Sequence, residues 1–513
     1  MLVCNYLIVS VFSLLLPYIT NGSEYKACLV VFALTLFVAG WLADAHIGRY
    51  KVIHCSVLIM WIAMVLATVS SVTAQLVDSY YHVSIKVQVV LLVVVAGGFG
   101  GFQANIIQFG IDQLCDALTT EIKSYIIWYI WTFVSGGLTV DFPFSCLSEH
   151  YKIIRLLVVC INLTSSLILL FCCYHWLIKE PVIRSPFKLV YKVIKYAIKN
   201  KYPQKRSAFT YCEDDLPSRI DFGKMKCGGP FTTEQVEDVK TFLRLLPVAT
   251  IGGILISVVT LINYLRNKLG EQFTNFSESD LEDVTNSKTV LAKCYTEASF
   301  THTMYSSATV LIVLNELFLY PVFHRCCPKI ESLQKALIGT ILQLVRVLVL
   351  MMFDVISRQT FAQHNNSTIQ CIFYEIPSAL STSFNYHWLV IPDLLYTITI
   401  TMLFIGTVEF VSAQVPYFVK GLIAGIVFCS LALSGAVWYV VSIPFTQMQS
   451  IWGTGTITCG FWYALLLAVV QMIALAFFVL LTRWYKKRKR GDVLPNEHIF
   501  AENYYSSNSK INC

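Results

Sequence analysis

An all-α, polytopic membrane protein is the fold class that this sequence predicts, and three observations predict it. Hydrophobic residues make up 56% of the 513 and charged residues only 13%, against about a quarter charged in an ordinary soluble domain. Mean hydropathy is +0.63. Apolar runs close to the roughly 20 residues that cross a bilayer core recur from end to end, so most of the chain is intramembrane and no soluble catalytic domain of ordinary size has room. Finally, Lys and Arg collect between those runs, so the net charge of +7 reads as membrane topology and not as a nucleic-acid surface.

The runs fall at about 2–19, 27–43, 52–70, 86–108, 124–140, 153–178, 241–265, 304–323, 334–356, 386–408, 417–441 and 459–482, which predicts twelve helices. The first run lacks a basic leading region and a small-residue cleavage site, so it reads as a membrane helix that begins late, not as a signal peptide. With both termini inside, the inner loops hold 26 Lys/Arg and the outer loops 8, and the cluster Lys486 to Arg490 agrees with that orientation. Glycosylation sequons at Asn275, Asn365 and Asn366 fall in outer loops, as does a weaker one at Asn21 beside the membrane; a match at Asn162 lies within an apolar run and reads as chance.

The 17 cysteines lack metal-ligand spacing, and most read as small hydrophobes. Cys294 and Cys371 occupy outer loops where a bridge is permitted. No nucleophile, metal or phosphate-loop pattern is readable, so neither an enzyme nor a cofactor is expected.

The long inner loop divides the chain into a six-helix bundle at 1–178, a linker at 179–240, a second six-helix bundle at 241–483 and a tail at 484–513. That plan is similar to the major-facilitator one. Within the linker, SPFKLVYKVIKYAIKNKYPQKR has the spacing of a basic amphipathic helix suited to an anionic inner leaflet, and the same segment offers a surface for cytoplasmic protein partners.

Three motifs in register carry a family resemblance. GWLADAHIGRYKVI at 40–53 supplies Gly40, Ala43, Asp44, Gly48, Arg49 and Tyr50; GGFGGFQANIIQFGIDQL at 97–114 supplies Phe109, Gly110, Asp112 and Gln113; EFVSAQVPYFVKG at 409–421 supplies Glu409 and Gln414. With the terminal LPNEHIFAENYY at 494–505, the chain resembles the proton-coupled oligopeptide transporter (peptide/nitrate transporter) family of the major-facilitator superfamily, as a divergent animal-type member similar to the peptide/histidine transporters. Asp44 and Arg49 carry two readings, a gating ion pair across a moving bundle interface or ordinary topogenic charge.

The resemblance implies a secondary active transporter of small solutes, a proton-coupled symporter of di- and tripeptides or amino acids, in a plasma or endolysosomal membrane. It also shows departures at the residues that handle protons and peptides. The chain starts inside what corresponds to the first helix, past the family's E-x-x-E-R. The family's helix 4 lysine falls on Gln103, its helix 5 asparagine on Val134 and a nearby tyrosine on Ile130; the helix 10 glutamate falls on Ile400 or Thr401, with no acid between Asp393 and Glu409. A peptide ammonium without a counter-ion in a low-dielectric cavity is heavily penalised. Two alternatives follow: a carrier of a non-peptide solute such as an anion, or a non-transporting scaffold that recruits cytoplasmic partners.

Polar groups inside the runs are costly and so informative. Glu316 and Arg346 are placed at similar depth on successive runs and are expected to pair, either pinning the helices or coupling protons. Tyr396, Thr397, Thr399 and Thr401 stripe the tenth run; they either face a solute or bond their own helix backbone.

Overall fold

The computed structural model describes residues 1–20, 24–76, 81–114, 119–145, 152–179, 186–200, 218–273, 309–314, 316–317, 331–365, 386–433 and 460–485. Their first half comprises α1 (Leu2–Thr20), α2 (Glu24–Leu42), α3 (Arg49–Leu76), α4 (Tyr81–Asp112), α5 (Thr119–Ser145) and α6 (Lys152–Cys172). The connecting segment holds α7 (Pro186–Lys199) and two short 3-10 turns, Arg219–Gly223 and Met225–Cys227. The described residues of the second half comprise α8 (Thr233–Phe273), short helical pieces at 309–314 and 316–317, α9 (Ser332–Asn365), α10 (Val390–Gln414), α11 (Lys420–Ala432) and α12 (Gly460–Trp484).

Among the described residues, the apolar runs read from the sequence coincide largely with helix. Eight helices among the described residues are long and apolar enough to cross a membrane, and two more, Leu2–Leu15 and Tyr417–Ser430, are shorter apolar helices. Their outward surfaces are apolar: Val30, Leu34, Ile161, Phe171 and Leu480 are all more than half exposed, which only a lipid solvent makes favourable. Asn275, Asn366, Cys294, Cys371 and the basic tail lie outside the described residues; Asn365 ends α9. Asn162 donates its side-chain amide to Ser10 Oγ at 3.1 Å, tying α6 to α1.

The linker's basic amphipathic helix forms, and its most deeply buried stripe, Val190, Val193 and Ala197, packs on protein, which leaves the lysine-bearing face outward. The turn at Arg219–Gly223 folds back beneath α7, with Tyr196 edge-on to Phe231 at 6.0 Å. Because this module needs a wall to pack on, α8 begins at Thr233, before its apolar run, and offers Val236 and Val239, both fully buried. Charge closes the module: Asp221 receives Lys224 at 2.7 Å and Lys240 at 2.5 Å, and Glu237 receives both lysines. Burial raises the Asp221 carboxyl, but the hydrogen bonds from Lys224, Lys240 and Ser218 outweigh it and hold the group well below the usual carboxylate range.

Candidate functional site

The end of α2 is where the two halves meet most closely. A short π-helical turn at Ala43–Ile47 closes on Gly48, whose φ of 93° is left-handed territory that glycine enters without strain, and the chain reverses into α3. This turn presents Asp44 inward, 7% exposed. Its Oδ1 accepts from Arg49 Nε at 3.2 Å and Nη2 at 3.1 Å, while Oδ2 accepts the backbone N–H of Leu422 at 2.9 Å. Leu422 lies in the first turn of α11, where N–H groups lack helical partners and the dipole favours an anion, so Asp44 caps a helix of the opposite half. Close approach makes that reach feasible: a Cβ on Gly40 would lie 2.5 Å from the carbonyl oxygen of Gly421.

A second carboxylate completes the lattice. Asp112, at the last residue of α4, receives Arg49 on Oδ2 and Lys420 Nζ on Oδ1, the latter at 2.9 Å. Two acids and one arginine of the first half are therefore bound to one lysine and one N–H of the second. Gln108 adds a bond to Ser412 Oγ at 3.2 Å. Gln113, next to Asp112, turns the other way and clamps Ile178 through both N–H and C=O. A cavity of about 300 Å³ opens beside the lattice, lined by Arg49, Tyr50, Tyr174, Lys179 and Tyr417 among others, so the ion pairs sit at its wall and not in sealed core.

Deeper in, Gln103 is fully buried and neutral partners hold it on both sides. Tyr129 donates to its Oε1 at 2.7 Å, its Nε2 donates to Asn5 Oδ1 at 3.2 Å, and Asn5 donates to Thr132 Oγ1 at 2.9 Å. Val134 packs half-buried against the core, whereas its neighbour Phe133 crosses to the second half, meeting Phe404 at 6.1 Å and Phe428 at 6.5 Å.

In the second half, Tyr396 lies under the Arg346 guanidinium at 4.8 Å. Thr397 donates to Asp393 O at 3.0 Å and Thr401 to Ile398 O at 3.0 Å, so both hydroxyls bond their own helix. Glu409 receives Lys335 at 3.1 Å, which joins α10 to α9 inside one half; Gln414 accepts the Tyr485 hydroxyl at 3.2 Å.

The expected Glu316–Arg346 pair does not form. Glu316 accepts from Ser124 Oγ at 2.7 Å, near the start of α5, whereas Arg346 donates to Pro392 O at 3.0 Å, near the start of α10. Those helix starts belong to opposite ends of the bundle. Asp393 instead receives Arg266 bidentately, Nε to Oδ1 at 2.8 Å and Nη2 to Oδ2, linking α8 to α10. Sequence reasoning missed Arg266, Asn5, Phe133 and Lys420. Arg266 follows an apolar run directly and reads as loop charge; Lys420 stands within a motif whose acid and amides drew the attention.

A family model described as POT family matches residues 50–458. The human protein named Solute carrier family 15 member 5 is 26% identical over 230 residues, covering 42% of this chain and 38% of that protein, so the alignment spans about two-fifths of the relative's length. The Arabidopsis thaliana protein named Protein NRT1/ PTR FAMILY 6.4 is 24% identical over 449 residues, 77% of this chain and 70% of that one. The crystal structure of an auto inhibited POT family peptide transporter superposes with a TM-score of 0.62 at 16% identity, over 96% of this chain and 98% of the other. The fold is the major-facilitator fold.

Proposed function

The chain belongs to the POT family of multi-pass membrane transporters, and from that premise we propose that it carries a small solute by alternating access, with the Asp44–Arg49–Asp112–Lys420 lattice as its cytoplasmic gate. One observation carries this reading: Asp44 and Asp112 of the first half bind the opening turns of α11 in the second. Ion pairs at a cavity wall break more cheaply than sealed ones, because water takes over the charges as they part. Topogenic charge alone would not require a carboxylate buried against another half's helix end.

Gln103, Asn5 and Tyr129 form a neutral, mutually satisfied set in the first half. That supports a first half without a proton-binding group at this position, so coupling uses an acid elsewhere; Glu316, whose partner among the described residues is Ser124 across the halves, is the candidate. A peptide- or amino-acid-like solute follows from the family. An anionic, non-peptide solute is the second reading, favoured by the middle of the tenth helix, where Thr401 is committed to its own backbone and no acid stands between Asp393 and Glu409, which are held by Arg266 and Lys335.

Counter-flow in proteoliposomes preloaded with dipeptide, amino acid or nitrate tests the proposal. Exchange of at least one solute, abolished by Asp112→Lys, is expected. A well-folded protein that exchanges none of them would favour the scaffold that recruits cytoplasmic partners through 179–240.

A further inference from the structure

The buried stripe of α7 is accounted for, but its opposite face is not. At 100° per residue, the exposed arc divides in two. Phe187, Tyr191 and Ile198, 38%, 63% and 74% exposed, fall within about 40° of one another. Lys195, Lys188, Lys199 and Lys192 fill the adjoining sector of about 60° and are all exposed. None of these lysines makes an ion pair among the described contacts; Lys195 only overhangs the Tyr191 ring, at 5.6 Å. Side chains of this kind lying next to a lysine row match the boundary between acyl chains and headgroups, where the aromatic and aliphatic groups enter and the ammonium groups stay at phosphate level.

The place of α7 in the fold supports the same partner. It rests on the turn at Arg219–Gly223 and on Val236 and Val239, which precede the apolar run of α8 at 241–265 by about half a turn to one and a half turns. The Asp221–Lys240 and Lys224–Glu237 bonds fix that seat, so α7 is held beside the membrane surface with its lysines outward.

We propose that the Phe187–Tyr191–Ile198 edge and the Lys188–Lys192–Lys195–Lys199 row of α7 form a docking surface for the anionic lipids of the cytoplasmic leaflet. The surface belongs to the second half through α8, so lipid held there fixes one half of the molecule relative to the bilayer while the other moves. This requires the linker to be cytoplasmic and does not require that the chain transport any solute.

Hydrogen exchange of the full-length protein in nanodiscs tests it, comparing phosphatidylcholine alone with phosphatidylcholine plus phosphatidylserine. Each lysine at an anionic surface is worth roughly five-fold in partition, so the amides of 187–199 are expected to exchange at least about ten-fold more slowly with the anionic lipid. High salt should erase the difference. Replacing all four lysines by glutamine should also erase it, while amides at 233–245 stay protected and report an intact seat. Tyr191→Ser with Ile198→Ser should reduce it. Equal exchange in the two lipids overturns the proposal. So does protection that appears only when polyglutamate is added to neutral nanodiscs, which would assign the lysine row to an acidic protein partner instead.

Discussion

At the scale of single residues, polar side chains in this membrane protein are placed by whichever partner relieves burial, and that partner is usually distant in sequence. Glu316 and Arg346 show the limit of reasoning from depth alone. Counting along two apolar runs places them level, but run boundaries are uncertain by a turn or more, and the count carries no information on which way each side chain points. In the structure Glu316 finds Ser124 in the first half, and Arg346 finds Pro392 and the Tyr396 ring in the second. Glu316→Gln retains an acceptor for the serine hydroxyl, whereas Arg346→Gln loses both the cation over the ring and the Nε bond to Pro392 O. With no partner shared among the described contacts, the two substitutions should add to within about 0.5 kcal/mol in thermal stability. Melting curves of the singles and the double check this. Rescue in the double variant, where Arg346→Gln alone is harmful, would restore the direct pair.

Between helices, the decisive contacts are charges that only three-dimensional proximity explains. The position and class of nearly every element was legible, because lipid forces backbone hydrogen bonding into helices and a run of apolar residues then marks each one. The motif residues Asp44, Arg49 and Asp112 were legible too, through the family resemblance, but their partners Leu422 and Lys420 were not, since nothing local marks a residue more than three hundred positions away as a neighbour. Arg266–Asp393 is the clearest such case, a bidentate bond with both side chains at most 4% exposed. Removing one member of a buried pair leaves the other charged and desolvated, at a cost of about 3 to 5 kcal/mol. Arg346 donates to the carbonyl of the adjacent Pro392, so a second guanidinium charge acts on the Asp393 carboxylate. Asp393→Asn should therefore lower the melting temperature more than Arg266→Gln does. Arg266→Met combined with Asp393→Leu should fall between wild type and either single variant. Equal loss in both single variants would mean that Arg346 is not part of this electrostatic group.

For the whole molecule, the bonds described between the halves gather at the linker end: Asp44 to Leu422, Asp112 to Lys420, Gln108 to Ser412 and Ser124 to Glu316. A major-facilitator protein alternates by rocking its halves, so bonds collected at one end stabilise the state closed at that end and are absent from the state open there. Asp112 joins a cation of each half, Arg49 and Lys420. Asp112→Asn keeps the shape but removes the charge that holds Lys420, whose side chain is 18% exposed and so recovers part of its hydration. A net loss on the order of 2 kcal/mol is expected, which lowers the closed-to-open ratio roughly 30-fold. Spin labels at Ile47→Cys and Glu331→Cys, on a cysteine-depleted background, lie in different halves at this end. Wild type should give one short distance distribution by pulsed electron resonance, and Asp112→Asn should add a second, longer one. Asp44→Asn, which can still accept the Leu422 N–H, should shift the populations less. Unchanged distances in Asp112→Asn with normal folding would remove the lattice from the gating cycle and leave it a static brace.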